Sequence, residues 1–497
     1  MAEKRYLAFD LGAESGRGLV GLFDGERLRL EEVNRFSNGS VRLLDTLHWD
    51  VLRLFSELKR GLAQAVAIHG KDLSSLGIDT WGVDFGLLGR GDVLLGNPRH
   101  YRDHANDGIM EVAFQTVPRG ELFARTGIQF MQFNTLFQLL ALKRMQSPLL
   151  ENATSLLMMP DLLNFFFTGV KATEYSIAST TQMIDPYQRQ WDTELLSRFG
   201  LPSHFLTPIV DTGATIGTLR VDIAEEAGCE GLKVIAPAEH DTGSAIVAVP
   251  ATTEDYAYIS CGTWSLMGIE TKEPRISAAT AAANVTNEGG ACGTVRLLKN
   301  IMGLWLVQEC RRSWARRGKE YSYAELTAQA GEASAFSAII EPDATPFLSP
   351  TDMVSEVARF CIETGQNAPE TVGETVRVCL ESLALKYRWV LERMEEFRGK
   401  RIEVIHIVGG GTQNHLLCQL AADATRRTVI AGPIEATAIG NVLMQAFGCG
   451  DIGSLEQARE LVRRSFELIT YTPQGDAGRW EAQYIKYLSL REQLGNP

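Results

Sequence analysis

No two of the eight cysteines, at 229, 261, 292, 310, 361, 379, 418 and 449, stand at CxxC spacing, and none of their separations matches a zinc-ligand set. Buried free thiols are therefore expected. The eight histidines contain no HExxH, which leaves a catalytic transition metal without support. No apolar stretch is long enough to span a bilayer, and Asp10 and Glu14 interrupt any signal-peptide core behind Lys4 and Arg5. A cytoplasmic protein is expected. The formal charge of -13 opposes the field that a nucleic acid or an anionic membrane surface requires, so neither is expected as a partner. None of the Gly-Lys pairs at 70, 318 and 399 is followed by Ser or Thr, which excludes a Walker A loop. Asp84-Phe-Gly86 imitates a protein-kinase triplet. The one HRD-like string, Tyr101-Arg-Asp103, follows it instead of preceding it, with no Gly-rich loop and strand Lys before both.

What is present is an ordinary globular composition, 45% apolar and 22% charged, in a chain of 497 residues. That length exceeds what one hydrophobic core sustains, so two large domains are expected, residues 1–249 and 250–497. The boundary is placed where a strand pattern restarts after Val247-Ala-Val-Pro250. Tyr6 to Asp10 and Gly18 to Phe23 read as a hairpin around Leu11 to Arg17. Asp50 then stands as an N-cap before apolar positions 51, 55, 58, 62 and 66, a helix, and Leu76 to Asp79 is a strand. The grammar recurs in the second half. Tyr256 to Glu270 is broken at Gly262, and aligning Gly262 with Gly12 superposes Tyr256 on Tyr6 and Ser265 on Ser15. A long amphipathic helix carrying Val376 to Met394 ends near Gly399, and a strand, Ile402 to Ile407, leads into Val408-Gly-Gly-Gly411 and a helix from about Asn414 to Ala424. Helices interleaved with strands in this way predict an α/β fold.

Three glycine turns at strand ends could bring backbone N–H groups close to phosphates: Asp10 to Arg17, Ser260 to Ser265 and Val408 to Gln413. One such turn is ordinary, but three in order at wide spacing are not. Asp241, after the strand-like Val234-Ile-Ala236, has a bland reading as a helix cap. A carboxylate beside a phosphate site can also accept a hydroxyl proton during phosphoryl transfer. Trp81, Trp264 and Trp305 read as packing, Phe165 to Phe167 as buried helix, and Arg311-Arg312 and Arg316-Arg317 as a solvated face.

The strings Asp10-Leu-Gly-Ala-Glu-Ser-Gly-Arg17, Ile78-Asp-Thr-Trp-Gly-Val-Asp-Phe85, Tyr101-Arg-Asp103, His240-Asp-Thr242, Ser260-Cys-Gly-Thr-Trp-Ser-Leu266, Lys299-Asn-Ile-Met-Gly-Leu-Trp305 and Ile407 to Asn414 together resemble the FGGY carbohydrate kinases, from residue 5 to about 447. The resemblance implies a two-domain actin-like (ribonuclease H-like) ATPase fold with an interdomain cleft. Residues 1–249 would bind the sugar and carry catalysis, and 250–497 would bind the nucleotide. It implies ATP and Mg²⁺ as cofactors and a small-molecule ketose as the partner. By resemblance, the 78–85 and 299–306 strings imply L-rhamnulose, phosphorylated at O1, over L-fuculose, a ketopentose or a non-catalytic sugar or nucleotide sensor on the same fold, against which the presence of both Asp10 and Asp241 argues. Asp241 is similar to the family's base, and Gly82, His240, Thr242 and Asn300 to its sugar contacts. Ala13, Glu14, Ser15, Gly16, Arg17, Thr263, Gln308 and Gly410 are similar to its ATP contacts, and Asp10 to the carboxylate holding Mg²⁺. Glu239 departs from the family pattern, where a small or neutral residue is expected. It would raise the pKa of the base or help hold a cation. Leu420-Ala-Ala-Asp-Ala-Thr425 lacks a cysteine pair that some relatives carry, so no local disulfide is expected.

Overall fold

The computed structural model describes residues 3–495. The chain divides into two compact units. The first runs to Pro250 and takes up Glu270–Leu297 and Glu435–Phe466; the second holds Ala251–Ile269, Leu298–Ile434 and the segment from Glu467 onward.

The first unit is built on a six-stranded sheet of β1 (Lys4–Leu11), β2 (Ser15–Phe23), β3 (Leu28–Ser37), β4 (Ser75–Thr80), β5 (Thr215–Thr218) and β6 (Lys233–Ile235), in the order β5-β6-β4-β1-β2-β3. β1 and β2 form the expected hairpin, closed at Leu11↔Gly16, while β4 lies parallel to β1 and β6 parallel to β4. Parallel neighbours need a crossover, and helix α1 (Val51–His69) supplies the one from β3 to β4. The Asp50 side chain caps it by accepting from the Arg53 N–H. Its buried face is Val51, Leu54, Leu58, Leu62 and Ala65, and Phe55 and Val66 pack half-buried at the rim. The apolar spacing thus located the stripe one position off at two of its turns. Leu7, Phe9, Leu76 and Ile78 meet that stripe in the core.

Helices α2 (Met159–Thr168), α3 (Asp241–Val247) and, in the second unit, α4 (Trp305–Arg316) and α5 (Val372–Arg398) follow. In α2, Phe167 is buried while Phe165 and Phe166 are half-buried, so the triple Phe is a partly exposed helix end. The α5 N-terminus is a capping box between Thr371 and Glu374, and it ends at Gly399 with φ 73°, a left-handed conformation that favours glycine. Five strands of the second unit run in the order β8-β7-β9-β10-β11: β7 (Tyr256–Cys261), β8 (Ser265–Thr271), β9 (Val404–Val408), β10 (Thr428–Ala431) and β11 (Ile469–Tyr471). A hairpin, β7 with β8, again has its first strand flanked by a parallel strand, β9, arriving from a helix. That is the arrangement of β1, β2 and β4, so the weak sequence repeat corresponds to a repeated motif. Helix α6 (His415–Thr425) is capped by the Asn414 side chain, and α7 (Ala436–Gly448) returns to the first unit. Six of the eight cysteines are buried and all are free, but Cys292 is exposed and Cys449 half-buried. Among the described residues, no helix is long and apolar enough to cross a membrane.

Candidate functional site

Parallel strands place their carboxyl ends along one edge of a sheet, which is where α/β proteins gather functional groups. In the first unit that edge carries acid. Asp10 near the end of β1 is the register partner of Asp79 on β4. Thr80 follows, and its N–H donates to the Glu239 carbonyl at 2.9 Å, placing the Glu239-His240-Asp241 segment alongside. Asp10 is 7% exposed and Asp79 wholly buried. Arg17, opposite Asp10 in the hairpin, donates to Asp10 Oδ2 at 2.6 Å and also bonds Glu435. Asn441 on α7 donates to Asp79 Oδ2 at 2.6 Å, while Asp79 Oδ1 is buried without a partner among the described residues. Burial, then the charge of Asp10, pushes the Asp79 carboxyl well above the ordinary carboxylate range, with Asp241 adding to the push.

Asp241 opens α3 with 30% of its side chain exposed. Its Oδ1 accepts from the Thr242 N–H at 2.5 Å and the Thr242 hydroxyl at 3.1 Å, and lies 3.5 Å from His240 Nε2. Burial raises its pKa; His240 pulls it down and Asp10 pushes it up again. Behind the imidazole, Arg296 Nη2 lies 3.1 Å from His240 Nδ1, and Glu288 Oε2 is 3.1 Å from the same nitrogen. The guanidinium can only donate to Nδ1 and the ionised carboxylate can only accept from it, so the two compete for one imidazole nitrogen. Against burial, His240 and the Arg296 charge hold Glu288 below the ordinary carboxylate range.

Gly82 and its neighbours sit on a second constellation. Val83 adopts φ 69°, an uncommon backbone for a β-branched residue. It is pinned by the Thr135 hydroxyl on its carbonyl at 2.6 Å and by the Thr180 Oγ1 accepting its N–H at 3.2 Å. Asp84, wholly buried, accepts from Trp49 Nε1 at 2.6 Å, Trp81 Nε1 at 3.0 Å, the Tyr101 N–H at 3.2 Å and Gln138 Nε2 at 2.9 Å. The two indoles consequently lie against one another, tilted by 33° with centroids 3.9 Å apart, and the His100 ring lies 4.2 Å from Trp49, tilted by 31°. Trp81 is therefore packing, as expected, but packing tied to a buried carboxylate.

In the second unit, the turn after β7 receives two other segments. Leu304 N–H donates to Gly262 O at 3.2 Å and Trp305 N–H to Thr263 O at 3.0 Å, so α4, with Gln308 in its first turn, starts on the hairpin that holds Thr263. Gly409, with φ 88°, would bring a Cβ within 3.1 Å of Cys261 O, which seats the third glycine turn against the second. Thr263, Gln308 and Gly410 are thus gathered, and Gln308 Oε1 is buried without a partner among the described residues. Asn300 lies on the strand Val295–Ile301. Ala13 and Glu14 form the turn of the first hairpin, closed by Gly12 N–H to Ser15 O at 2.9 Å, and Ser15, Gly16 and Arg17 begin β2. Glu239 does not turn toward Asp10. Its Oε1 accepts from Asn164 at 2.6 Å, inside a buried group with Asp161 and Glu174. Among the described residues no three acidic, His or Cys side chains converge as a ready ligand shell. The sequence reading missed Asp79, Glu435, Asn441, Glu288 and Arg296 as members of the site. Of these only Asp79 sat in a string already singled out.

The chain matches the FGGY family of carbohydrate kinases, N-terminal domain, over residues 5–248 and the C-terminal domain of the same family over 257–449. It belongs to that family and is a carbohydrate kinase. It is 45% identical over 98% of its length to a rhamnulokinase of Bacteroides thetaiotaomicron, covering 99% of that protein. It is 43% identical over 94% of its length to one of Oceanobacillus iheyensis, covering 97% of it. Among solved structures, a gluconate kinase from Lactobacillus acidophilus superposes with TM-score 0.81 at 15% identity over 99% of this chain and 98% of that one. A Plasmodium falciparum glycerol kinase with ADP does so with TM-score 0.76 at 15% identity over 99% and 98%. The fold is thus the two-domain α/β fold of actin-like ATPase type expected from the sequence.

Proposed function

We propose that this chain transfers the γ-phosphoryl group of ATP to the O1 hydroxyl of L-rhamnulose in the cytoplasm, forming ADP and L-rhamnulose 1-phosphate for rhamnose breakdown. The observation that carries the choice of sugar is the near full-length similarity to rhamnulokinases, 45% over 485 residues. The chemistry rests on Asp241. Its carboxylate is partly exposed, fixed by Thr242 and raised above the ordinary range, so it is a stronger proton acceptor than a free aspartate. O1 attacks the γ-phosphorus as its proton passes to Asp241, and the bond to the β,γ-bridging oxygen breaks with ADP leaving. Gly82, His240, Thr242 and Asn300 are assigned to the sugar. The turn Ala13 to Arg17 with Thr263, Gln308 and Gly410 is assigned to ATP, and the orphaned Gln308 oxygen is an acceptor awaiting a donor. Asp10, the register partner of Asp79, suits a hydrated Mg²⁺; burial first, and after it the Asp10 charge, raises both Asp79 and Asp241. When bound, Mg²⁺ neutralises phosphate charge. Arg17, held between Asp10 and Glu435, keeps the Asp10 carboxylate oriented.

Coupled ADP release with and without each ketose tests the reading. L-rhamnulose should give the highest kcat/KM in the presence of Mg²⁺. Equal ATP turnover without sugar would refute the kinase chemistry, and a tenfold preference for another ketose would refute the sugar.

A further inference from the structure

Helix α5 places Lys386 and Tyr387 next to each other in the interior of the second unit, 1% and 0% exposed. Consecutive helical residues point roughly 100° apart, so the two side chains serve different segments. A buried ammonium and a buried phenol each need partners to offset lost hydration. Both find them beside the turn that holds Thr263. Tyr387 Oη lies 2.7 Å from Ser265 Oγ, at the start of β8, and 3.8 Å from Cys261 Sγ, at the end of β7, so it ties together the strand ends that flank Gly262 to Trp264. Lys386 Nζ donates to Glu341 Oε1 at 2.6 Å and stands 2.9 Å from Asp343 Oδ2. The other Asp343 oxygen accepts the Met302 N–H at 2.8 Å. Gly303 comes next, where an added Cβ would stand 2.7 Å from both Ser265 N and the Trp264 carbonyl carbon. The two N–H groups that follow, of Leu304 and Trp305, are those that donate to Gly262 and Thr263.

Behind Lys386 the network continues to the last helix, α8 (Ala477–Gln493). The second oxygen of the wholly buried Glu341 accepts from the Tyr487 hydroxyl and from Arg491 Nη1, each at 2.8 Å, and its first oxygen accepts the Asp343 N–H at 3.2 Å. The Arg491 guanidinium also lies 3.8 Å from the centre of the Trp389 ring. Against burial, Lys386 and Arg491 hold the Glu341 carboxyl down at about 2, so it is ionised at neutral pH. Buried ion pairs add little net stability over apolar packing of the same shape. What this one adds is direction, because Asp343 is oriented by Lys386 and by its own N–H before it accepts from Met302.

We propose that Tyr387 and Asp343 are positioning residues for the nucleotide turn, gripping it from its two sides. Tyr387 fixes the hairpin ends around Thr263, and Asp343 fixes the Met302-Gly303 segment that seats Gln308 on that turn. The C-terminal helix takes part through Arg491 and Glu341, although it contributes no residue assigned to ATP. The proposal rests on the assignment of Thr263 and Gln308 to ATP.

Tyr387→Phe removes the hydroxyl and keeps the ring, and Asp343→Ala removes the acceptor for Met302. Binding of ADP with Mg²⁺ is measured by calorimetry on the full chain, beside melting temperature and the coupled assay. Val429→Ala, a core truncation at a wholly buried position of β10 in the same unit, serves as a control for lost stability. Tyr387→Phe and Asp343→Ala should each weaken ADP by roughly three- to tenfold, the worth of one buried hydrogen bond. KM for ATP should rise with it while KM for the sugar changes little. Val429→Ala should melt earlier yet bind ADP like wild type. Should Asp343→Ala not fold, Tyr387→Phe decides alone. ADP binding unchanged in Tyr387→Phe, or weakened equally in Val429→Ala, would overturn the proposal. Wild type that bound no ADP would overturn the site assignment and the grip with it, whereas wild type and variants binding ADP alike would overturn the grip alone.

Discussion

Helix α7 packs against the back of α3 at Gly440, and replacing that glycine with alanine sets two effects against each other. Within a helix, Gly→Ala should stabilise by about 1 kcal/mol through propensity. At this position an added Cβ would stand 2.6 Å from the Ser244 carbonyl carbon and closer still to its oxygen. Ordinary contact begins near 3.4 Å, so backbone must move by on the order of 1 Å, and no flexible side chain is available to yield. Overpacking of this kind costs about 1–3 kcal/mol or more, so the net change should be destabilising. Ser244 lies three residues beyond Asp241 on the same short helix. The shift is therefore passed to the base, and a displacement of about 1 Å can cost on the order of 10²-fold in rate. Gly440→Ala should thus lower the melting temperature by a few degrees, as ~1–2 kcal/mol does in a protein of this size, and reduce kcat far more than it alters the KM for ATP. Differential scanning fluorimetry and the coupled assay read both quantities. A melting temperature equal to or above wild type with unchanged kcat would refute the close-approach reasoning, because propensity alone would then have decided the outcome.

The other expectations concern single groups. Asp241→Asn should cut kcat by roughly 10²–10⁴-fold with little change in sugar binding, and a Mg²⁺ titration that restores it would show that Asp241 is not the base. Asp10→Asn should instead show a raised Mg²⁺ requirement, partly relieved by excess metal; a defect indifferent to metal would remove Asp10 from that role. Asp84→Asn keeps the shape but presents an amide N–H to one of its four donors, so it should destabilise by about 1–3 kcal/mol. Unchanged melting, with unaltered fluorescence of Trp49 and Trp81, would show that the carboxylate does not hold the indoles. On brief alkylation of the native protein, Cys292 should be modified first, being exposed while six others are buried. A paired mass shift after reduction would reveal a disulfide and contradict the free thiols.

Much of the local architecture was legible because its causes are local. The hairpin around Gly12, the cap at Asp50, the long helix stopped by Gly399 and the helix opened by Asn414 each follow from a periodicity and an adjacent capping or turn residue. The glycine turns and Asp241 were legible for the same reason, since each pairs a strand end with residues of restricted chemistry. The direction of a side chain is a different matter. Glu239 looked like an extra charge beside the base, yet its buried carboxyl turns to α2, where Asn164 donates to it at 2.6 Å and offsets part of its burial. Asp79, Asn441 and Glu435 show the same limit. Asn441 is separated from Asp79 by 362 positions, and nothing near either residue names the other. The sequence by itself determined the strand and helix grammar, the glycine turns and the acidic residues available for chemistry. Which acids face one another, which guanidinium balances them and which helix closes behind the base were decided only by the tertiary structure, because parallel strands bring together residues that must be far apart in the chain.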